Sequence, residues 1–439
     1  MGARKEGLDN GSQKGGERID SQASYPCLNA AFETAAKGVS GFDKKFMRDL
    51  MGGIGSARRE SWRISAGRFR SRDGRFMDSL SRDVEGLLSL YEASHLGMHG
   101  EDILEEAKDF SIRNLKSLVG IISDSYNLAK QVKQSLEIPL YWRMPRVEAH
   151  NFIDVYQKDI TKNLTLLELA KLDYNLLQSV YQRELKELAR WWRDLDFKGK
   201  LPFSRDRLVE NFLWAVGIIF EPQFSKCRIG LTKFICILTV IDDMYDIYGS
   251  LDELERFTDA VNRSYLVEAR WFSSGYTPTL DEYLENAWIS VGGPAAILHA
   301  YVLLGCTITK DSLDCLKHGS DQLIYWSSLI TRLSDDLGTS EVAESKRGDV
   351  AKSIRCYMVQ EGASEEEARE HIKRLICYSW KKLNEERAKG FPAKFRVKMS
   401  LNMPRTAQCI FEHGDGIGTS TGAIKDHLTS LIVKPFPME

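Results

Sequence analysis

Apolar residues recur at helical spacing along most of this chain. In SLSRDVEGLLSLYEASHL (79–96) they fall three and four apart, Ile103–Ala129 continues the rhythm, and Val180–Trp192 reads as a further amphipathic helix. Alternating runs bounded by tight hairpin turns are scarce. The pattern predicts an all-α protein whose antiparallel helices pack through apolar faces. Punctuation is clear at three places. Lys198-Gly199-Lys200-Leu201-Pro202 separates two helical segments, Glu221-Pro222 should end or kink a helix, and Gly292-Gly293-Pro294 should interrupt the helix carrying Trp288–Val291. Residues 1–60 are polar and Gly-rich without sustained periodicity, and read as a disordered or atypical segment. The basic stretch Arg58–Arg75 fits either a phosphate-touching arm or a solvated loop. No repeat of solenoid length is visible.

The run LTKFICILTV (231–240) is apolar nearly all round, so as a helix it should be buried. It ends in Asp242, Asp243 and Asp246. Asp242 and Asp246 are four apart and share one helical face. Gly249 is a good stop, and Ser250-Leu251-Asp252-Glu253 has the form of a capping box for the next helix. Carboxylates at a helix C-terminus oppose its dipole and are costly to desolvate without a positive partner. Hard oxygen ligands of this kind suit Mg²⁺ or Mn²⁺. A solvated helix end is the plainer alternative.

A second acid-rich helix follows Trp326. Asp336, Ser340 and Glu344 are spaced by four, each step advancing about 40°, so their oxygens face one way. Asp335, Thr339 and Ala343 form the competing register, which lacks the last acid. Taken alone, the segment also fits a surface helix. Basic groups accompany the acids. Ser204-Arg205-Asp206-Arg207 reads as a side-chain cap and two arginines opening a helix, and Arg332 lies one turn before Asp336. Arginine suits bidentate contact with phosphate oxygens. Two acid clusters with arginines describe a polyphosphate held between metal ions and guanidinium groups.

Length and composition narrow the rest. With 439 residues the chain has room for two or three domains, and its net charge of −2 gives no basic field arguing for nucleic acid. Eight scattered cysteines without a CxxC pair read as reduced, buried thiols, not as a disulfide framework or zinc site. No stretch is long and apolar enough for a transmembrane segment. The first twenty residues lack an apolar core, carry acids and glycines, and place Glu6 where myristoylation needs Ser or Thr, so no secretory, plastid or lipidation signal is expected there.

These motifs resemble those of the plant class I terpene synthases. IDDMYDIYG looks like that family's aspartate-rich motif, RLSDDLGTSEVAESKRGD like its second metal-binding motif, and SRDRLVENFLW like its arginine motif and pocket-tryptophan helix, following ELARWWRDL. VEGLLSLYEASHL, LAKLDYNLLQ, TPTLDEYLENAWISVGGP and RTAQCIFEHGDG are also similar to monoterpene and sesquiterpene synthases, over roughly Asp73 to the C-terminus. The resemblance implies two helical domains: a partial N-terminal α-barrel domain at 61–180 and a C-terminal metal-binding α-bundle at 181–439. It implies three Mg²⁺ ions, with Mn²⁺ as an alternative. Asp242 and Asp246, with Asp243 nearby, would hold two, and Asp335 or Asp336, Thr339 or Ser340, and Glu344 the third. Arg205, Arg207 and Arg332 would bind the diphosphate of a prenyl substrate, while Trp214, Trp288 and Ser290 would lie at the pocket. His413 and Asp415 match a C-terminal segment closing near the site. The implied reaction is ionisation of geranyl or farnesyl diphosphate to a monoterpene or sesquiterpene. A monomer or weak homodimer is expected, in plastids if the product is a monoterpene.

Three departures qualify the resemblance. The tandem-arginine motif of cyclising monoterpene synthases is not recognisable, which fits either members that make acyclic alcohols such as linalool or nerolidol, or an altered or truncated N-terminus. FTDAVNR runs directly into SYLVEARW at Arg263-Ser264, where the family carries a stretch worth roughly two to three helices. The second metal motif has one extra residue, and the Asp336, Ser340, Glu344 register restores the spacing of one helical face. Asp335 stays open, since a local bulge could absorb the insertion. The shortened junction also fits a catalytically impaired isoform that binds only a diphosphate or a partner. A prenyl chain elongase is the nearest enzymatic alternative, but would carry a second DDxxD-type motif in place of Asp-Asp-Leu-Gly-Thr-Ser with its trailing glutamate.

Overall fold

The computed structural model of the chain describes residues 76–119, 126–160, 162–245, 254, 263–304, 321–339, 351–389, 394–414 and 422–438, all within the unit Ile54–Glu439. Every regular element among them is helical. The first group is α1 (Val84–Ser94), α2 (Asp102–Leu118) and α3 (Tyr126–Glu137). These share a small core around Leu87, Leu90, Leu104 and Leu115. Then come α4 (Pro145–Tyr156) and the long α5 (Leu164–Leu195). Val180–Trp192 is thus part of the second half of one long helix. α5 starts where the Asn163 side chain accepts from the Leu166 N–H, and stops where Asp196 takes a left-handed conformation at φ 52°.

The remaining helices build the bundle that carries the acids: α6 (Leu208–Ile218), α7 (Ser225–Asp243), α8 (Arg263–Ser274), α9 (Leu280–Ser290), α10 (Gly293–Leu303), α11 (Gln322–Thr339), α12 (Ser353–Glu361), α13 (Glu365–Ala388), α14 (Lys394–Phe411) and α15 (Gly422–Leu428). The largest core joins α5, α6, α7, α10 and α14, with Tyr181, Phe212, Leu231, Ile297 and Met403 inside it. A second core joins α9, α11, α12 and α13 through Leu280, Ile330, Leu333, Ile354, Ile372 and Trp380.

α11 is the central helix. It packs against α13, α14, α9 and α10, and buries residues on every side, from Leu323 and Ile324 through Ser327, Ser328, Thr331 and Ser334 to Gly338. The surface-helix alternative for this segment therefore does not hold. Its small hydroxyl residues permit close approach because they bond their own helix: Thr331 Oγ1 donates to Ser327 O at 2.9 Å and Ser334 Oγ to Ile330 O at 2.7 Å. α7 differs from expectation in the opposite sense. Only one face is fully buried, through Leu231, Cys236 and Val240, while Ile237 is 37% exposed. Among the described residues its main neighbours are α6 and α10, with a smaller contact to α5, and Leu238 and Ile241 pack against Tyr265, Leu266 and Ala269.

The predicted breaks fall where the residues placed them. α6 ends before Glu221-Pro222, and a short turn at Pro222–Phe224 leads into α7. α9 and α10 are separated by Val291 and Gly292, which is left-handed at φ 74° and so close to Leu238 that a Cβ would collide with it. Among the described cysteines, Cys227, Cys236, Cys356 and Cys409 are buried free thiols and Cys377 is half-buried. No helix among the described residues is long and apolar enough to cross a membrane.

Candidate functional site: two acidic helix ends and a buried guanidinium

The first acid cluster stands at the end of α7. Asp243 is buried and accepts from the Arg205 backbone N–H at 3.0 Å and from Arg205 Nε at 2.6 Å. Asp242 is half-buried, with Arg205 Nη2 at 3.4 Å. After Asp243 the helix widens over Met244 and Tyr245. Asp246, Gly249 and the capping box at Ser250–Glu253 lie outside the described residues, apart from the burial of Leu254 just beyond it. The arginine segment departs from expectation. α6 begins only at Leu208, with Arg207 at the cap position and no side-chain cap. Arg205 is instead tied to α7 through both its backbone and its guanidinium. Arg207 Nη1 donates to the Asp206 carbonyl at 3.0 Å.

The second cluster lies at the end of α11, where Asp335 and Asp336 have different surroundings. Asp336 is fully buried; it accepts from Tyr283 Oη at 3.1 Å and from the Ser353 N–H at 3.2 Å. Its oxygens are thus engaged by α9 and α12, and Arg332 Nη1 lies 3.6 Å from Oδ1. Asp335, one helical step away, keeps 20% of its side chain exposed and pairs with Arg332 Nη1 at 3.0 Å. Thr339 Oγ1 donates to the Asp335 carbonyl at 2.8 Å and accepts from Lys352 Nζ at 2.8 Å. The described part of α11 therefore engages Asp336 in the core, whereas spacing alone favoured the register of Asp336, Ser340 and Glu344. Ser340 and Glu344 lie outside the described residues.

Electrostatics tie the clusters together. Burial raises the Asp335 carboxyl to about 7, opposed by Arg332 and Lys352 and reinforced by the charges of Asp336 and Asp242. The charge of Asp242, on a separate helix, thus reaches Asp335. Arg332 lies beside the second cluster, its side chain 11% exposed. Its Nε donates to Ala287 O at 3.3 Å, near the end of α9, and its Nη2 to Ser290 Oγ at 3.3 Å. Ser290 is buried, so its hydroxyl serves the guanidinium. Trp214 lies in the main core with its ring centroid 6.2 Å from that of Phe411, and Trp288 meets Tyr325 edge-on at 5.1 Å. His413 is exposed, and Asp415 lies outside the described residues.

Sequence reasoning missed two groups. Lys352, just before α12, places an ammonium beside Thr339 and Asp335. Glu268 on α8 accepts from Ser290 Oγ at 2.5 Å and Asn286 Nδ2 at 2.9 Å. Neither had a local signal, because their partners lie elsewhere in sequence.

The donors suit a hard divalent cation: the Asp242 and Asp335 carboxylates and the Thr339 hydroxyl are all oxygen, and the mutual repulsion that adds to the burial of Asp335 is relieved by positive charge. Among the described residues, no group of three His, Cys, Asp or Glu converges on one metal position. Asp246 and Glu344 are not among the residues so searched.

Comparison with known proteins gives the family. The profile "Terpene synthase family, metal binding domain" matches residues 193–264 and 262–382, two stretches meeting at Arg263-Ser264, and "Terpene synthase, N-terminal domain" matches 60–136. The chain is 59% identical to probable terpene synthase 9 of Ricinus communis over 84% of its length and 71% of that protein's. It is 53% identical to the chloroplastic trans-ocimene synthase of Litsea cubeba, over 85% of this chain and 72% of that one. Isoprene synthase from grey poplar, solved with three Mg²⁺ ions and dimethylallyl-S-thiolodiphosphate, superposes with a TM-score of 0.81 at 35% identity, covering 94% of this chain and 93% of that one. The chain belongs to the terpene synthase family, with its all-α fold.

Proposed function

We propose that this chain ionises a prenyl diphosphate, geranyl diphosphate in preference to farnesyl diphosphate, to an acyclic monoterpene or its alcohol. Supporting this are Asp242 and Asp335, at the ends of two helices and near enough for the charge of one to raise the other, with Arg332 bonded to Asp335, together with the relative named as a trans-ocimene synthase. Residues 61–180 form the partial N-terminal domain in this reading, and 181–439 the catalytic one. Asp242, Asp246, Asp335 and Thr339 would hold Mg²⁺, with Glu344 completing the set, and Mn²⁺ could substitute. Bound metal would supply Lewis-acid stabilisation of the leaving diphosphate. Asp243 fixes Arg205, and Asp336 anchors α11 to α9 and α12. Arg205, Arg207, Arg332 and Lys352 donate to phosphate oxygens. Trp214 and Trp288 offer aromatic faces to the allylic cation and help exclude water. The relatives named as chloroplastic support a plastid location.

The test is incubation of the purified chain with geranyl diphosphate and Mg²⁺, followed by analysis of volatiles. Products above a metal-free control are expected. Their absence, with the fold intact, would favour the impaired-isoform reading, which the two-part match meeting at Arg263-Ser264 also supports.

A further inference from the structure

We infer that Glu268 is a positioning residue for Arg332, acting through the Ser290 hydroxyl to aim the guanidinium at a diphosphate. The inference rests on the reading of Arg332 as a diphosphate ligand. Three helices contribute. Glu268 on α8 accepts from Ser290 Oγ at 2.5 Å, and Ser290 at the end of α9 accepts from Arg332 Nη2 of α11 at 3.3 Å. The direction of this chain is fixed by chemistry. A guanidinium only donates and an ionised carboxylate only accepts, so the hydroxyl between them must accept from one and donate to the other. Ser290 Oγ also lies 3.3 Å from Ala287 O, but its single proton favours the shorter, charge-assisted bond to Glu268.

The consequence for Arg332 is a fixed plane. Its Nε is held by Ala287 O, its Nη1 by Asp335 at 3.0 Å and its Nη2 by Ser290. Three of its five N–H donors are held in hydrogen bonds, and Asp336 Oδ1 stands 3.6 Å from the same Nη1, so at most two donors remain for phosphate oxygens. The charge on Glu268 matters beyond the bond. Burial raises its carboxyl, Arg332 and the Ser290 hydroxyl favour the ionised form, and Asp242 and Asp336 oppose it. The carboxylate thus belongs to the same field as both acid clusters. A residue that merely pinned α8 to α9 would need no charge, since Asn286 Nδ2 already bridges to Ser264 O at 3.0 Å.

The test is titration calorimetry of the full chain with inorganic pyrophosphate in Mg²⁺, alongside urea denaturation. Glu268→Gln and Ser290→Ala should each weaken pyrophosphate binding about tenfold, the scale of one charge-assisted hydrogen bond. The double variant should lose no more than either single one, and Ser290→Thr, which keeps the hydroxyl, should retain affinity. Three results would overturn the inference: affinity of Glu268→Gln within about twofold of the unmodified chain, a lowered denaturation midpoint with unchanged affinity, or losses that multiply in the double variant. If the unmodified chain binds no pyrophosphate, the diphosphate reading of Arg332 falls, and the inference with it.

Discussion

Asp242 and Asp243 are neighbours in sequence with different surroundings, and on the proposed reading they do different work, which paired Asp→Asn substitutions should separate. Asp243 has a side chain 2% exposed and meets Arg205 through two bonds. An amide there keeps one acceptor but sets an NH₂ group against one of the two donors. Loss of a charged, buried hydrogen-bond partner costs about 3 kcal/mol, reduced towards about 2 because Arg205 is 31% exposed. Asp242 is 35% exposed and touches Arg205 at 3.4 Å, so its loss should cost about 0–1 kcal/mol. It even relieves repulsion, since the Asp242 charge adds to the burial that raises both Asp335 and Glu268. Urea denaturation in chelator should therefore find Asp243→Asn markedly destabilised and Asp242→Asn close to the unmodified chain. Calorimetry with Mg²⁺ and pyrophosphate should find Asp242→Asn weakened by about tenfold or more, the effect expected of a lost metal ligand. Equal denaturation costs for the two variants would refute the division of labour.

Two further outcomes test the scaffold. Arg228 is fully buried and bonds Glu184 at 2.6 and 2.9 Å and the carbonyls of Ile219 and Glu221, so Arg228→Met should cost about 3–5 kcal/mol in urea denaturation, with Arg228→Met/Glu184→Leu less harmful than the single change. A double variant worse than the single one would contradict this. Burial raises Glu92 from 4.5 to about 7; the group is neutral in both states below 4.5, and stability is lost progressively as pH rises from there through 7, because the unfolded chain ionises first. Relative to Glu92→Gln, the unmodified chain should lose about 2–3 kcal/mol of stability between about pH 5 and pH 8. A difference independent of pH would remove the burial argument.

Local chemistry made much of this protein legible in its residues. Helical periodicity set the fold class, and Gly292-Gly293 and Glu221-Pro222 set breaks, because backbone freedom and missing donors act within a few residues. Spacing by four likewise told which side-chain oxygens share a face: those of Asp335 with Thr339, and of Asp336 with Ser340. It could not tell which face meets the core. That depended on Tyr283 and the Ser353 N–H, which arrive from other helices and take Asp336. The same limit hid Glu268, whose role depends on Ser290 and on Arg332 in other helices. Periodicity is a property of one helix, while the partner of a buried charge is chosen only when helices distant in sequence pack together.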